Sequence, residues 1–134
     1  MSFIYKRIQT LNIEAFVEFT PPVSFQKSIE AMFAADFLLL IQPDTDLQIP
    51  AKLFEYIYVQ KPILAIAEEN SATHHLIQKS GMGVFVPSKN VPAIEQAIKQ
   101  FINGEVNIKP DLEYINQFNY KYYIKKFEKC LDEL

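Results

Sequence analysis

Glycine is scarce in this chain of 134 residues, which contains only three. The phosphate-binding loops of dinucleotide-binding and P-loop proteins need glycines at fixed spacing, because the backbone must approach the phosphates closely. Neither G-x-G-x-x-G nor G-x-x-x-x-G-K-[ST] occurs in the sequence. Those two ways of binding a nucleotide are therefore excluded.

Cysteine and long apolar runs are scarce as well. The single cysteine, Cys130, cannot form an internal disulfide and is more typical of packing than of a nucleophile. Apolar runs such as Phe37 to Ile41 are far too short to span a membrane, and the first ten residues lack the apolar core of a signal peptide. The sequence predicts a cytoplasmic protein and leaves open a peripheral association with the inner face of the membrane.

Basic residues do not outnumber acidic ones. Lys and Arg total 13 against 16 Asp and Glu, which gives a formal net charge of −3. A protein that binds nucleic acid through its phosphates needs a basic face, so no nucleic-acid partner is predicted. The length and the hydrophobic content of 49% are ordinary for one globular domain, which we predict to span residues 1–134.

The first half of the chain alternates between helical and extended patterns. A helix is predicted over residues 2–13, followed by a strand from Ala15 to Thr20 that Pro21 ends. Ser24 is a predicted N-cap for the next helix. The core-facing stripe of that helix is predicted as Phe25, Ile29, Met32 and Phe33. The run Phe37 to Ile41 is apolar at every position, which is typical of a parallel strand covered on both faces.

The second half continues the alternation. Pro50 opens a helix, for which the predicted buried stripe is Leu53, Phe54, Ile57 and Tyr58. A buried strand over Ile63–Ala67 follows, then a helix from Ser71 to Gly81, a strand over Val84–Val86 and a helix that ends at Asn103-Gly104. A last helix is predicted from about Asn119, within a C-terminal helical extension over 111–134. The pattern predicts an α/β fold of the Rossmann-like, three-layer kind with a four-stranded, mainly parallel sheet.

Ligands of such sheets bind beyond the carboxyl ends of the strands, which directs attention to the loop before Pro50. Lys52 and Glu55 lie three residues apart in the first turns of the helix, and hence on one face. A helix start with a cation and an acid is suited to a phosphorylated ligand with hydroxyl groups. Adjacent His74 and His75 point in different directions on a helix, so no metal site is predicted.

The stretch from Ile49 to Ala67 resembles part of a known family. Bacterial polysaccharide-type glycosyltransferases of the retaining GT-B class (group 1) commonly carry P-x-K-L-x-E-Y-x-x-x-x-K-P-I-L-A in their donor-binding domain. The motif stands here as Pro50, Lys52, Leu53, Glu55, Tyr56, Lys61, Pro62, Ile63, Leu64 and Ala65. The likeness extends from about Phe16 to Ile102, and it implies the C-terminal part of a domain that binds a nucleoside diphosphate sugar.

The resemblance also implies roles for individual residues. Glu55 would accept hydrogen bonds from the two ribose hydroxyls of the donor, as a carboxylate can. The backbone N–H groups of Ala51, Lys52 and Leu53 would face the diphosphate. Val23 matches a position where the backbone meets the nucleobase, whereas Thr20 stands where many members have glycine. No cofactor or metal is implied.

Two departures from the family limit this expectation. Leu47 occupies the position where much of the family has a glutamate that helps to place the transferred sugar. An acceptor domain and the first two strands of the donor domain have no counterpart in the sequence. The expectation is a C-terminal glycosyltransferase fragment, catalytically inert alone, in the synthesis of cell-surface polysaccharide. The alternative is a non-catalytic α/β interaction module that pairs with itself or with another chain.

The strand order implied by the resemblance leaves the first strand without its neighbours. An uncovered edge of a parallel sheet invites pairing with another chain. We therefore expect either that Phe16–Phe19 moves beside Phe37–Ile41, or that two chains pair to cover the gap. The partners expected are a sugar nucleotide in the intact enzyme, and the missing N-terminal half or a second copy of the chain.

Overall fold

A computed structural model of the chain describes residues 3–119 and 121. Its sheet has three parallel strands in the order β1-β2-β3, which are β1 (Leu38–Gln42), β2 (Ile63–Ala67) and β3 (Gly83–Pro87). The helices are α1 (Phe3–Thr10), α2 (Phe25–Ala34), α3 (Ala51–Val59), α4 (Ala72–Ser80), α5 (Val91–Ile102) and α6 (Leu112–Asn116). The α/β class and the parallel sheet are confirmed, and the arrangement is consistent with a Rossmann-like fold.

The sheet lies between two layers of helices. On one face, Leu40 and Ala65 pack with Leu53 of α3 and Leu76 of α4. On the other face, the side chains of β2 and β3 pack against α5, chiefly against Phe101. All five residues of β2 are buried, because this central strand has a neighbour on each side and helices on both faces.

The helices begin and end at residues whose side chains favour those positions. Ser24 Oγ accepts a hydrogen bond from the Lys27 amide at 3.3 Å and Ser71 Oγ accepts one from the His74 amide at 3.1 Å, as N-caps do. Gly81 ends α4 in the left-handed conformation, with φ of 64°. A Cβ atom at Gly81 would overlap the carbonyl oxygen of Lys109, so this position needs glycine for its conformation and for its space.

The fourth strand predicted at Ala15–Thr20 is wrong. Residues Glu14–Phe16 form a 3₁₀ turn, and the residues that follow, of which Val17 is extended, pair with no described strand. Phe16 is 86% exposed. The β propensity of aromatic and β-branched residues reflects packing against neighbouring strands, and this segment has none. The expectation that it moves beside β1 is therefore also wrong for the single chain.

Helix cover over β1 is one-sided, contrary to the sequence prediction. Leu38 and Leu40 are buried against the helices, whereas Leu39 and Ile41 on the opposite face are 44% and 63% exposed. The reason is the position of α5, which packs on β2 and β3 and leaves that face of β1 open. A strand that is apolar at every position is thus half-covered in the single chain.

Two predicted helix stripes are buried only in part. In α2, Met32 is buried but Phe25 is 70% exposed. In α3, Leu53 and Ile57 are buried, whereas Tyr58 is 73% exposed because it faces away from the sheet. Apart from Asn119 and residue 121, the predicted last helix lies outside the described residues, and so does the packing role of Cys130.

Candidate functional site

The loop between β1 and α3 is fastened to the carboxyl end of the sheet by long-range hydrogen bonds. The Asp44 amide donates to Glu68 Oε1 at 3.2 Å, just after β2. The Ala72 amide, at the start of α4, donates to the carbonyl oxygen of Asp46 at 2.7 Å. This loop therefore presents the start of α3 in a fixed position.

A partly buried network of polar side chains also holds the loop between β1 and α3. The Thr73 hydroxyl, on a residue that is 1% exposed, donates to Gln42 Oε1 at 2.7 Å. The Gln42 amide group in turn donates to the carbonyl oxygen of Gln48 at 3.0 Å. Both polar atoms of the Gln42 side chain are used, so the last residue of β1 links α4 to the loop.

Glu68 joins three of the segments at this edge of the sheet. Its Oε1 accepts from the Ser88 hydroxyl at 2.5 Å and from the Asp44 amide. These two hydrogen bonds, the one from Ser88 first, lower the pKa of Glu68, and the charge of Lys89 adds to the effect. The loops after β1, β2 and β3 are thus tied together by one carboxylate, a role that the sequence analysis did not predict.

The start of α3 has backbone donors available. The Leu53 amide donates to the carbonyl oxygen of Pro50 at 2.9 Å, so this one of the three amides at 51–53 already has an acceptor. Within the described chain, the amides of Ala51 and Lys52 have no hydrogen-bond acceptor. Two N–H groups therefore remain at the positive end of a helix, where an anion is stabilised.

Lys52 and Glu55 form the ion pair that their spacing allows. Lys52 Nζ lies 2.8 Å from Glu55 Oε2, and the two side chains are 44% and 28% exposed. A pair of this kind on a helix surface contributes only about 0.2–0.5 kcal/mol. A ligand that offers better partners to either group can therefore replace the pair at small cost.

Glu55 borders an apolar groove between α2 and α3. The groove has a volume of about 680 Å³, which is within the range of ligand pockets (roughly 300–1,000 Å³). Its apolar lining is Phe25, Ile29 and Phe33 from α2 and Phe54 and Tyr58 from α3. The structure thereby brings Glu55 into one groove with α2, which begins two residues after Val23.

The other residues singled out from the sequence lie at the surface. Val23 is 48% exposed just before α2, and Thr20 is exposed in the segment before it. Leu47 is 93% exposed on the loop before α3 and contributes nothing to the core.

The two adjacent histidines belong to no cluster of metal-ligating side chains among the described residues. The His74 ring stacks on Phe85, with centroids 3.7 Å apart, and its Nδ1 accepts a hydrogen bond from the Asn70 amide at 3.1 Å. Among residues 3–119, no three His, Cys, Asp or Glu side chains are grouped so that they could hold a metal ion. His74 therefore acts as a packing residue over β3.

No helix in the described part of the chain is both long and apolar enough to cross a membrane.

Comparison of the chain with protein-family models, with curated proteins and with solved structures finds no match in any of the three.

Proposed function

We propose that the chain contributes part of the donor site of a retaining GT-B glycosyltransferase, in which it binds the nucleoside diphosphate portion of a sugar nucleotide. The main support is the convergence of three features at the start of α3. These are the free amides of Ala51 and Lys52, the Glu55 carboxylate, and the groove that Glu55 shares with α2. This end of the sheet is where α/β folds bind their ligands.

Each feature suits one part of such a ligand. The two amides and the helix dipole stabilise the negative charge of a diphosphate. Glu55 Oε2 is paired with Lys52 at 2.8 Å, and its other oxygen has no partner among the described residues, so the carboxylate can accept bonds from ribose hydroxyls. Transfer itself requires groups that stabilise the leaving diphosphate and an acceptor site, so the chain binds the donor and does not complete the reaction.

The test is a titration of the isotope-labelled chain with UDP, GDP and ADP, followed through the backbone amides by NMR. We expect chemical-shift changes at Val23 and at Ala51–Glu55. Glu55→Gln removes the charge that strengthens the bonds to ribose and should weaken binding about ten- to hundredfold.

Glu95→Gln is the matched control. Glu95 forms an equivalent helix ion pair, with Lys99 Nζ at 2.7 Å, on α5 and outside the groove. If Glu55→Gln binds no more weakly than Glu95→Gln, Glu55 has no role in ribose recognition, because loss of an acidic charge by itself does not weaken the binding of an anionic nucleotide. Absence of shift changes with all three nucleotides at millimolar concentration would count against donor binding by this chain.

A second candidate function is a non-catalytic interaction module. The observation that favours it is the large exposed apolar surface of residues 3–20, where Phe3 is 81% and Phe16 is 86% exposed. A stable self-association together with no response to nucleotides would favour this candidate. An adjacent reading frame that encodes an acceptor domain and two further strands would favour the first.

A further inference from the structure

The N-terminal arm, which we define as residues 3–20, makes little contact with the other residues that the structure describes. None of the residues of α1 is buried, and Tyr5 stacks on Phe19 within the arm itself, with ring centroids 4.1 Å apart. No hydrogen bond joins the arm to residues 25–119. Exposed aromatic side chains in such number are typical of a surface that packs against another molecule.

The outer edge of β1 is open as well. The Leu38 amide donates to the carbonyl oxygen of Pro62 at 2.9 Å, so Leu38 and Leu40 bond towards β2. In a parallel pair the alternate residues, Leu39 and Ile41, direct their N–H and C=O groups away from it. Within the described residues no strand receives them; only the Tyr56 hydroxyl reaches this edge, where it donates to the Leu39 carbonyl at 3.2 Å.

The edge of β1 lacks the features by which sheets prevent pairing. It contains no charged residue, no proline and no bulge between Leu38 and Gln42. Its side chains Leu39 and Ile41 also remain exposed on the open face. A further strand would satisfy both the backbone groups and the apolar side chains.

We propose that two copies of the chain exchange their N-terminal arms, so that residues 15–20 of one copy form a strand beside β1 of the other. The segment is rich in aromatic and β-branched residues. Val17 and Phe19 alternate with Glu18 and therefore share one face of a strand, where they meet Leu39 and Ile41 of the second copy.

A second copy fits this edge better than an unrelated chain for two reasons. The segment carries Glu18, and β1 offers no acid that would repel it. The exchange is also reciprocal, so both arms and both edges are covered and the assembly closes as a dimer.

The exposed aromatic area of two arms is close to that of a small specific interface. Aromatic side chains bury roughly 150–250 Å² each when fully covered. The exposed fractions of Phe3, Tyr5, Phe16 and Phe19 are 81%, 39%, 86% and 45%. Two arms then contribute roughly 750–1,250 Å² from these side chains alone, which approaches the roughly 1,200–2,000 Å² of specific interfaces before the covered edges are counted.

The first test is the oligomeric state of the full chain, measured by sedimentation velocity over a range of concentrations. We expect a dimer, and we expect Ile41→Lys and Val17→Pro each to raise its dissociation constant by at least about tenfold. Leu47→Lys is the control, because it places the same charge on a residue that is 93% exposed and lies outside both surfaces. Thermal unfolding followed by circular dichroism verifies that every variant is folded.

The second test establishes which segments pair, in a chain that carries Cys130→Ser. A Val17→Cys chain mixed with an Ile41→Cys chain should form a mixed disulfide, because Cβ atoms across neighbouring strands lie roughly 4.5–5.5 Å apart. A chain that stays monomeric throughout the concentration range overturns the proposal. A disulfide between two Ile41→Cys chains in place of the mixed one also overturns it, because β1 would then pair with β1. So does a dimer that neither Ile41→Lys nor Val17→Pro weakens.

Discussion

The hydrogen bond between Thr73 and Gln42 gives the sharpest test of how the candidate site is held. The distance is 2.7 Å and Thr73 is 1% exposed, but Gln42 is only half-buried, so water can reach part of its side chain. Thr73→Val keeps the shape and removes the donor. We expect the free energy of unfolding to fall by about 1 kcal/mol, the net value of one hydrogen bond whose acceptor can be rehydrated.

A double-mutant cycle with Gln42→Leu isolates this interaction. The cost of Thr73→Val should shrink by up to about 1 kcal/mol when Gln42 is already replaced, because the nearer acceptor is gone and only the Gln48 carbonyl oxygen remains, 3.5 Å from the hydroxyl. Urea unfolding followed by circular dichroism measures all four free energies. Thr10→Val is the control. The Thr10 hydroxyl also donates a hydrogen bond, to the Lys6 carbonyl at 2.8 Å within α1, but Thr10 is exposed. We expect the free energy of unfolding of this variant to change by less than about 0.5 kcal/mol.

Equal costs in the two backgrounds would contradict the role given to this hydrogen bond. If Thr73→Val costs the same free energy with and without Gln42, the two side chains are not coupled, and the loop before α3 is not held by this bond. A cost far above 3 kcal/mol would also contradict the structure, because it would require a fully buried acceptor left without a partner.

Three further predictions address the frame of the site. Gly81→Ala and Gly104→Ala both place a side chain at positive φ, but only the Cβ atom at position 81 meets backbone atoms. In urea unfolding, Gly104→Ala should lower the free energy of unfolding by about 1–2 kcal/mol and Gly81→Ala by clearly more. Equal costs would contradict the contact at Gly81. Leu53→Ala should cost about 2–5 kcal/mol in the same assay, because the residue is 0% exposed. Ser88→Ala should raise the pKa of Glu68 towards its ordinary value in a carboxyl NMR titration, and an unchanged pKa would refute the Ser88 hydrogen bond.

The lowered pKa of Glu68 also predicts how the stability of the chain depends on pH. Its carboxyl has a lowered pKa in the folded chain, so its contribution is complete above the unfolded value of 4.5 and is lost as the pH falls through the folded value. The effect of Ser88→Ala on the unfolding midpoint should therefore be larger at neutral pH than below the folded pKa of Glu68, where the carboxyl is protonated in both states.

Local features of the fold could be predicted from the sequence, because they depend on neighbouring residues. The cap at Ser71, the stop at Gly81 and the buried strand Ile63–Ala67 are of this kind, and the structure confirms them. The ion pair of Lys52 and Glu55 was predictable for the same reason.

The features that the sequence did not predict correctly depend on residues that are distant in the chain. A strand at 15–20 requires a neighbour that its own sequence does not supply, and the cover over Ile41 depends on where α5 lies. Hydrophobic spacing placed Tyr58 in the core, but the helix has two apolar faces and only one of them meets the sheet. The role of Glu68 rests on an amide 24 residues away in the chain, which no local pattern reveals.

The contrast between β2 and the N-terminal arm has a consequence for hydrogen exchange. Strand β2 is buried at every position and bonded on both sides, so its amides should exchange only when the whole domain unfolds. No hydrogen bond joins the arm to residues 25–119, so its amides should exchange in a single chain almost as in a peptide. Slow exchange at residues 16–19 would therefore be a direct sign that the arm has found a partner, and a protease could remove the arm while the sheet stays folded.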